Sequence, residues 1–244
     1  MNIHIKPRIY WRNVVRMQQH LHPLIKAQPK KVCKPKSGKV LVLSPHIDDE
    51  VIGCGGTIRL HVEQGDQVFV NYFADCTEIR QREALDACST LGFNITGFWP
   101  YVGREWPLHE REIFQQLCQL VTDINPDLVY LPTMWDRSHD HLMLNRLMVR
   151  LLRETGRDLT LYGCEIWSPV HPNLIVDISK VACRKLAALQ HFASQNIEID
   201  WAQAALALNR YRALTMRFGE YAEGFLELDS GSFLNLWGKV YGNE

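Results

Sequence analysis

The chain has 244 residues, 46% hydrophobic and 22% charged, with 27 basic against 27 acidic side chains. That is enough for one substantial core and short for two, and no stretch approaches the roughly 20 apolar residues of a membrane span. Seven cysteines, odd in number and without a C-x-x-C pair, argue against a disulfide framework or a zinc knuckle, and the first residues lack the continuous apolar core of a secretory leader; a reducing cytosol fits best.

The even balance of charge hides an asymmetry. Residues 1–38 carry nine Lys/Arg and no Asp or Glu, so the remainder holds 18 basic and 27 acidic groups, a net charge of −9. Within this arm Ile9, Trp11, Val14, Val15, Leu21 and Leu24 recur at loosely helical spacing. A basic amphipathic segment of this kind suits an anionic membrane surface; alternatively it lies against the acidic body of its own chain, the reading we favour. The chain is thus read as a basic, helical extension over 1–38, closed by the linker KPKSG, and a single domain over 39–244.

From Lys39 the pattern alternates. KVLVLS (39–44) is a buried-type strand, GGTIRLHVEQG a helix closed by Gly65, and QVFVNYF (67–73) a second strand. IRQREALDACSTLG is a helix stopped by Gly92, NITGFW a third strand, and REIFQQLCQLVTDINPD a helix ending before Pro126. LVYLPTM (128–134) is a strand and LMLNRLMVRLLRET a helix; LTLYGCEIW (159–167) and NLIVDI (173–178) are strands. Two helices, SKVACRKLAALQHFASQ and WAQAALALNRYRALTMRF, precede a last strand, YAEGFLEL. Strands alternating with helices of this length predict an α/β fold with a parallel sheet and helices on both faces.

Two charged clusters follow strands. PHIDDE comes directly after the first, and WDRSHDH (Trp135–His141) directly after LVYLPTM. Ligand sites of open α/β sheets form beyond the carboxyl ends of strands, so the clusters are expected to meet. His46 and Asp49, three apart in a tight loop, aim at one spot, and His141 reaches it from the other loop. Two ligands on a short spacer and one distant ligand is a common catalytic-zinc layout, and two imidazoles with one carboxylate suit Zn²⁺, with Fe²⁺ or Co²⁺ accommodated by the same set. Asp48 projects differently from Asp49 and suits the general base. Glu50 is placed at a helix N-terminus, where the dipole favours it. The GCGG that follows is not G-x-G-x-x-G; it is read as close helix–strand packing, and dinucleotide binding is rejected.

PHIDDE also resembles the P-H-x-D-D-E signature of the PIG-L/LmbE family of zinc-dependent de-N-acetylases. Arg80, Glu83, Ala87, Leu91 and Gly92 match that family's R-x-x-E-x-x-x-A-x-x-x-L-G helix, NPDLVYLP its P-D-x-V strand, and Asp140–His141 the end of its H-x-D-H element. VDIS (176–179), Lys185, SQ (194–195) and YAEGF resemble its C-terminal third. The resemblance implies a Rossmann-like, mostly parallel α/β domain that hydrolyses the acetamido group of an N-acetylglucosamine-type conjugate and releases acetate. It implies zinc ligands at His46, Asp49 and His141, a general base at Asp48, a substrate contact at Arg80, and at Asp140 a carboxylate that orients a catalytic histidine. The chain departs from the pattern at Ser138, where the family has that histidine. His139 beside it is the expected replacement as general acid, His171 in a later loop is a second candidate, and the Ser138 hydroxyl is left as a substrate contact. Rival readings are a Mg²⁺ phosphoesterase, which two histidines disfavour, and a catalytically silent sugar-binding module, which the retained Asp48 and full ligand set disfavour. Nucleic-acid binding is the weakest, since the body is acidic.

Overall fold

The computed structural model describes residues 29–197 and 199–242. The helical reading of the basic arm falls, for residues 1–28, outside them. Among the described residues the elements in chain order are β1 (Lys30–Val32), β2 (Val40–Ser44), α1 (Asp49–Glu63), β3 (Val68–Ala74), α2 (Glu78–Leu91) and β4 (Asn94–Tyr101), then α3 (Trp106–Ile124), β5 (Leu128–Pro132), α4 (His139–Thr155), β6 (Thr160–Cys164) and β7 (Leu174–Asp177), and finally α5 (Ala182–Gln190), α6 (Trp201–Met216), β8 (Ala222–Asp229) and α7 (Ser230–Tyr241). All eight strands form one sheet in the order β1-β7-β8-β6-β5-β2-β3-β4.

β2 shows why the sheet is covered on both sides. Its side chains alternate, as the pleat requires, and both sets are buried. Val40 and Val42 join one core with Ile58 of α1, Leu91 of α2, Leu189 of α5 and Ala205 of α6. Leu41 and Leu43 join the other with Leu117 of α3, Leu147 of α4 and Leu236 of α7. No helix among the described residues is long and apolar enough to cross a membrane.

The strand order reverses beside β2. The chain leaves β2 through α1 to β3 on one side, while β5 pairs with β2 on the other in parallel register, Val40 opposite Leu128 and Val42 opposite Tyr130. The carboxyl ends of β2 and β5 therefore open side by side at the topological switch point, where the connections run away from each other and leave a crevice.

Three features differ from the sequence reading. Lys30–Val32, counted there with the helical arm, is an edge strand parallel to β7. β8 runs antiparallel to both β6 and β7, so the sheet is mixed at this end. The chain also closes with α7, where Asp229 accepts the Ser232 amide at 2.7 Å as an N-cap; three glycines within Ser230–Gly242 dilute its helical pattern.

Helix α1 crosses the sheet closely. A Cβ on Gly56 would stand 2.8 Å from Ile178, and one on Gly53 2.9 Å from Cys164. The helix bends at Cys54 (φ −147°, ψ 19°), which frees backbone groups at the bend. They meet a buried ion pair. Lys185 Nζ donates to the Ile52 carbonyl at 2.8 Å and to Glu223 Oε1 at 2.7 Å, and Glu223 accepts the amides of Gly56 (2.9 Å) and Thr57 (2.8 Å). Lys185 is 0% and Glu223 1% exposed, so neither charge has a solvent alternative. Lys185→Met, which strands the carboxylate, is expected to destabilise the fold by about 3–5 kcal/mol in urea unfolding, and Lys185→Met with Glu223→Leu to recover a large part of that loss. A loss below about 1 kcal/mol in the single variant would deny the pair its structural role.

Candidate metal centre

The turn after β2 is held by buried polar contacts. Ser44 Oγ donates to the His46 carbonyl (2.7 Å) and accepts the Glu50 amide (3.1 Å). Glu50 is 1% exposed; it accepts the Asp48 amide (3.1 Å) and the Tyr72 hydroxyl (2.9 Å). Burial pushes its carboxyl up to about 7, against the pull of the Tyr72 hydrogen bond. The sequence reading of Glu50 as a simple dipole partner therefore misses its larger part, which is to fix the turn. Asp48 takes φ 113° at the start of α1, a conformation costly for a side-chain-bearing residue and sustained by these contacts.

The turn aims His46 and Asp49 together, and α4 brings His141. The Asp49 carboxylate accepts the His46 amide at 3.0 Å, and its Oδ2 lies 3.3 Å from His46 Nδ1 and 3.1 Å from His141 Nε2. One ligand atom from each of the three residues falls within 4.8 Å of the others. His141 is 0% and Asp49 4% exposed, while His46 lies at the cleft.

Each imidazole has its own carboxylate on the nitrogen turned away from Asp49. Asp140 Oδ2 is 2.8 Å from His46 Nε2, and Asp136 Oδ1 is 3.4 Å from His141 Nδ1. Asp136 was not singled out in the sequence; its signal was its place in WDRSHDH, five residues before His141. Such outer carboxylates fix the tautomer and ring direction of metal-ligating histidines. Asp140 thus orients a histidine, as the resemblance implies, but that histidine is the ligand candidate His46. A carboxylate this close needs room: a Cβ on Gly103 would stand 2.1 Å from Asp140 Oδ2. Asp75, Asp140 and His46 form a second grouping that shares His46 through Nε2.

Electrostatics agree with a cation-binding role. Burial works against protonating His46, but its bonds to Asp140 and Asp49 outweigh burial and push it up to about 10. His141, likewise opposed by burial, is pushed up to about 9 by Asp49 and Asp136. Burial would raise Asp49, yet the two imidazoles hold its carboxyl well below the usual range. Burial, then the charges of Asp49 and Glu50, push Asp48 well above that range, and the weaker pulls of His46 and Arg80 do not offset them. The arrangement has the donor types and the buried negative charge of a site for a borderline divalent ion.

A cleft of about 700 Å³ opens above these groups. Asp48 and Ser138 line it, as does Arg80, whose guanidinium meets the Asp75 carbonyl at 3.4 Å. Arg137, Ile166, Trp167, Gln195 and Trp201 also line it; Arg137 and Gln195 lie within elements the sequence had marked, WDRSHDH and SQ, but without a role of their own, and Ile166, Trp167 and Trp201 carried no motif. His139 is the first residue of α4, its side chain 60% exposed, with Nδ1 3.5 Å from Asp140, and it is not among the lining residues. His171 is exposed and is not among them either.

Residues 41–152 match the family model PIG-L: GlcNAc-PI de-N-acetylase. A curated protein of Bacillus cereus, described as a probable N-acetyl-alpha-D-glucosaminyl L-malate deacetylase 2, is 25% identical over 182 residues, 64% of this chain and 83% of that protein. The structure of an N,N'-diacetylchitobiose deacetylase from Pyrococcus horikoshii superposes with a TM-score of 0.67 at 24% identity, covering 83% of this chain and 86% of that one. A 4-carboxy-2-hydroxymuconate hydratase from Pseudomonas putida KT2440 superposes with a TM-score of 0.63 at 22% identity, covering 78% and 96%. The two solved structures share the fold, and the family match covers both charged turns, from PHIDDE through WDRSHDH. Over residues 41–152, therefore, the chain is similar to the PIG-L family.

Proposed function

We propose that the protein is a zinc-dependent hydrolase that removes the N-acetyl group from an N-acetylglucosamine-type amino sugar in a glycoconjugate and releases acetate. The PIG-L match and the deacetylase relative make hydrolytic N-deacetylation the reaction class. The observation that carries the metal is the pair of imidazoles, each with a carboxylate beside its outer nitrogen, whose inner nitrogens converge on Asp49. His46, Asp49 and His141 would hold the ion, and Fe²⁺ or Co²⁺ fits the same donors. When bound, such an ion supplies Lewis acidity and brings the pKa of water from about 16 to about 7.

The protein's own groups account for the proton and the substrate. Asp48, buried beside Asp49 and open to the cleft, takes the proton of the attacking water. Asp48, buried and facing the cleft, then returns that proton to the departing amine. Arg80, half-buried at the cleft wall, suits the substrate's polar groups, and Ser138 offers a hydroxyl in the same cleft. The exposed position of His139 makes it the weaker proton donor.

Purified protein is expected to hold one divalent ion per chain by elemental analysis, lost in His141→Ala. A full metal complement with full activity in that variant would remove the assignment. In the metal-free protein at pH 7 both imidazoles carry protons, since His46 and His141 are raised to about 10 and about 9, and a metal must displace them. Metal uptake at pH 7 should therefore release about two protons, fewer as the pH rises through 9, with affinity climbing over the same range. Calorimetry in buffers of different ionisation enthalpy reads this, and uptake without proton release at pH 7 would contradict it.

Asp48→Asn should keep the metal and the fold, because Asn tolerates positive φ, and should lower kcat by about a hundred-fold or more. His139→Ala is expected to lower it by less than about ten-fold. The reverse order, with metal retained in both, would return the acid role to His139.

A further inference from the structure

The cleft extends beyond what an acetamido group needs, and one wall of it is aromatic. Trp167, in the connection after β6, is 50% exposed and lines the cleft together with Trp201 at the start of α6. The two indoles meet edge to face, with centroids 4.7 Å apart and planes at 80°, the arrangement that aromatic quadrupoles favour. A half-exposed tryptophan costs apolar exposure, yet both of these are fixed in place. The Trp167 amide donates to Asp136 Oδ2 at 3.1 Å, so the same carboxylate whose Oδ1 faces His141 also sets this tryptophan. The Trp201 amide donates to Asn196 Oδ1 at 3.0 Å. The connection leading to it is tied to α2 through Glu83, which accepts the Ser194 amide (2.7 Å) and hydroxyl (2.6 Å).

Resting on the deacetylase reading above, we infer that Trp167, buttressed by Trp201, is a stacking platform for a second sugar ring, the unit glycosidically joined to the amino sugar whose acetyl group is removed. A pyranose presents C–H groups of partial positive charge on its face and hydroxyls around its rim. The indole face carries the negative side of the ring quadrupole and takes the first. The rim needs polar side chains beside the indole, and Arg137, Ser138 and Gln195 line the same cleft. Arg137 is exposed there, and no carboxylate partners it among the described ion pairs. An alkyl chain would instead want an apolar wall on every side, whereas beside the tryptophans only Ile52 and Ile166 are apolar in this cleft.

The test measures binding apart from turnover, with metal-loaded protein and ligands that carry no acetyl group: glucosamine, chitobiose and octyl glucosaminide, by calorimetry. Chitobiose is expected to bind about ten-fold more tightly than glucosamine, with octyl glucosaminide no better than glucosamine. Trp167→Ala should abolish that gain while leaving metal content and glucosamine binding unchanged, and Trp167→Phe should keep most of it. The proposal is overturned if chitobiose shows no gain, if the gain survives Trp167→Ala, or if the octyl compound gains as much. Acetate release from N,N'-diacetylchitobiose is assayed in parallel. Its absence, with the Trp167-dependent gain intact, would sink the deacetylase reading and leave the sugar platform standing.

Discussion

The burial of consecutive carboxylates at the end of the central strand is the constraint on which the rest of the structure turns. Asp48, Asp49 and Glu50 are each less than a tenth exposed, and Asp136 and Asp140 close in from β5 and α4. Charges of one sign in a poorly hydrated place repel strongly and keep their ionisation only when something compensates them. The three neighbours reach three different solutions. Asp49 is compensated by two imidazoles; Glu50 is partly compensated by hydrogen bonds and sits near neutrality; Asp48 is left to favour its protonated form. On the proposed reading, one short turn thereby supplies a ligand, an anchor and an acid–base group from three adjacent acidic residues.

Holding that turn requires rigidity well away from it. α1 begins at Asp49, so any tilt of this helix moves the site. The Lys185–Glu223 pair grips the helix at its bend, and Gly53 and Gly56 let it approach the sheet without a Cβ in the way. The family's signature residues make sense in these terms. Glu83 makes no contact with the metal centre, yet it ties α2 to the connection that presents Gln195 and Trp201 to the cleft. A residue of this kind acts through the backbone it positions, so its substitution would spread over the cleft without touching the chemistry directly.

What the sequence made legible follows from how local each signal is. The alternation of strands and helices, the two charged clusters after strands and the convergence of His46, Asp49 and His141 were all readable, because spacing and strand ends are local properties that a general rule of α/β sheets carries into space. The direction of β8 was not, because it is decided by the gap it fills between β6 and β7, two strands that precede it in the chain. Edge strand Lys30–Val32 is three residues long, two of them lysines, too short and too polar to announce itself. Asp136 and Trp167 were missed for another reason. Their roles exist only in relation to each other and to His141, through a carboxylate that spans two connections.

The fold itself does not choose the reaction, since a hydratase shares it as closely as a deacetylase does. The choice has to come from the site, and Ser138 is where the site most needs argument. Losing the family's histidine there removes an obvious proton donor, but amide hydrolysis needs only that the proton taken from water reaches the amine before the amine leaves. In the proposed mechanism a single buried carboxylate at the cleft wall, ionised when water attacks, would serve both halves of that transfer. Asp48 is a buried carboxylate on that wall. The positive φ that puts it there is the visible cost of the position, sustained by the Glu50 and Ser44 contacts on either side. On this account Ser138 is compatible with catalysis because the turn after β2 already holds a group able to move the proton both ways.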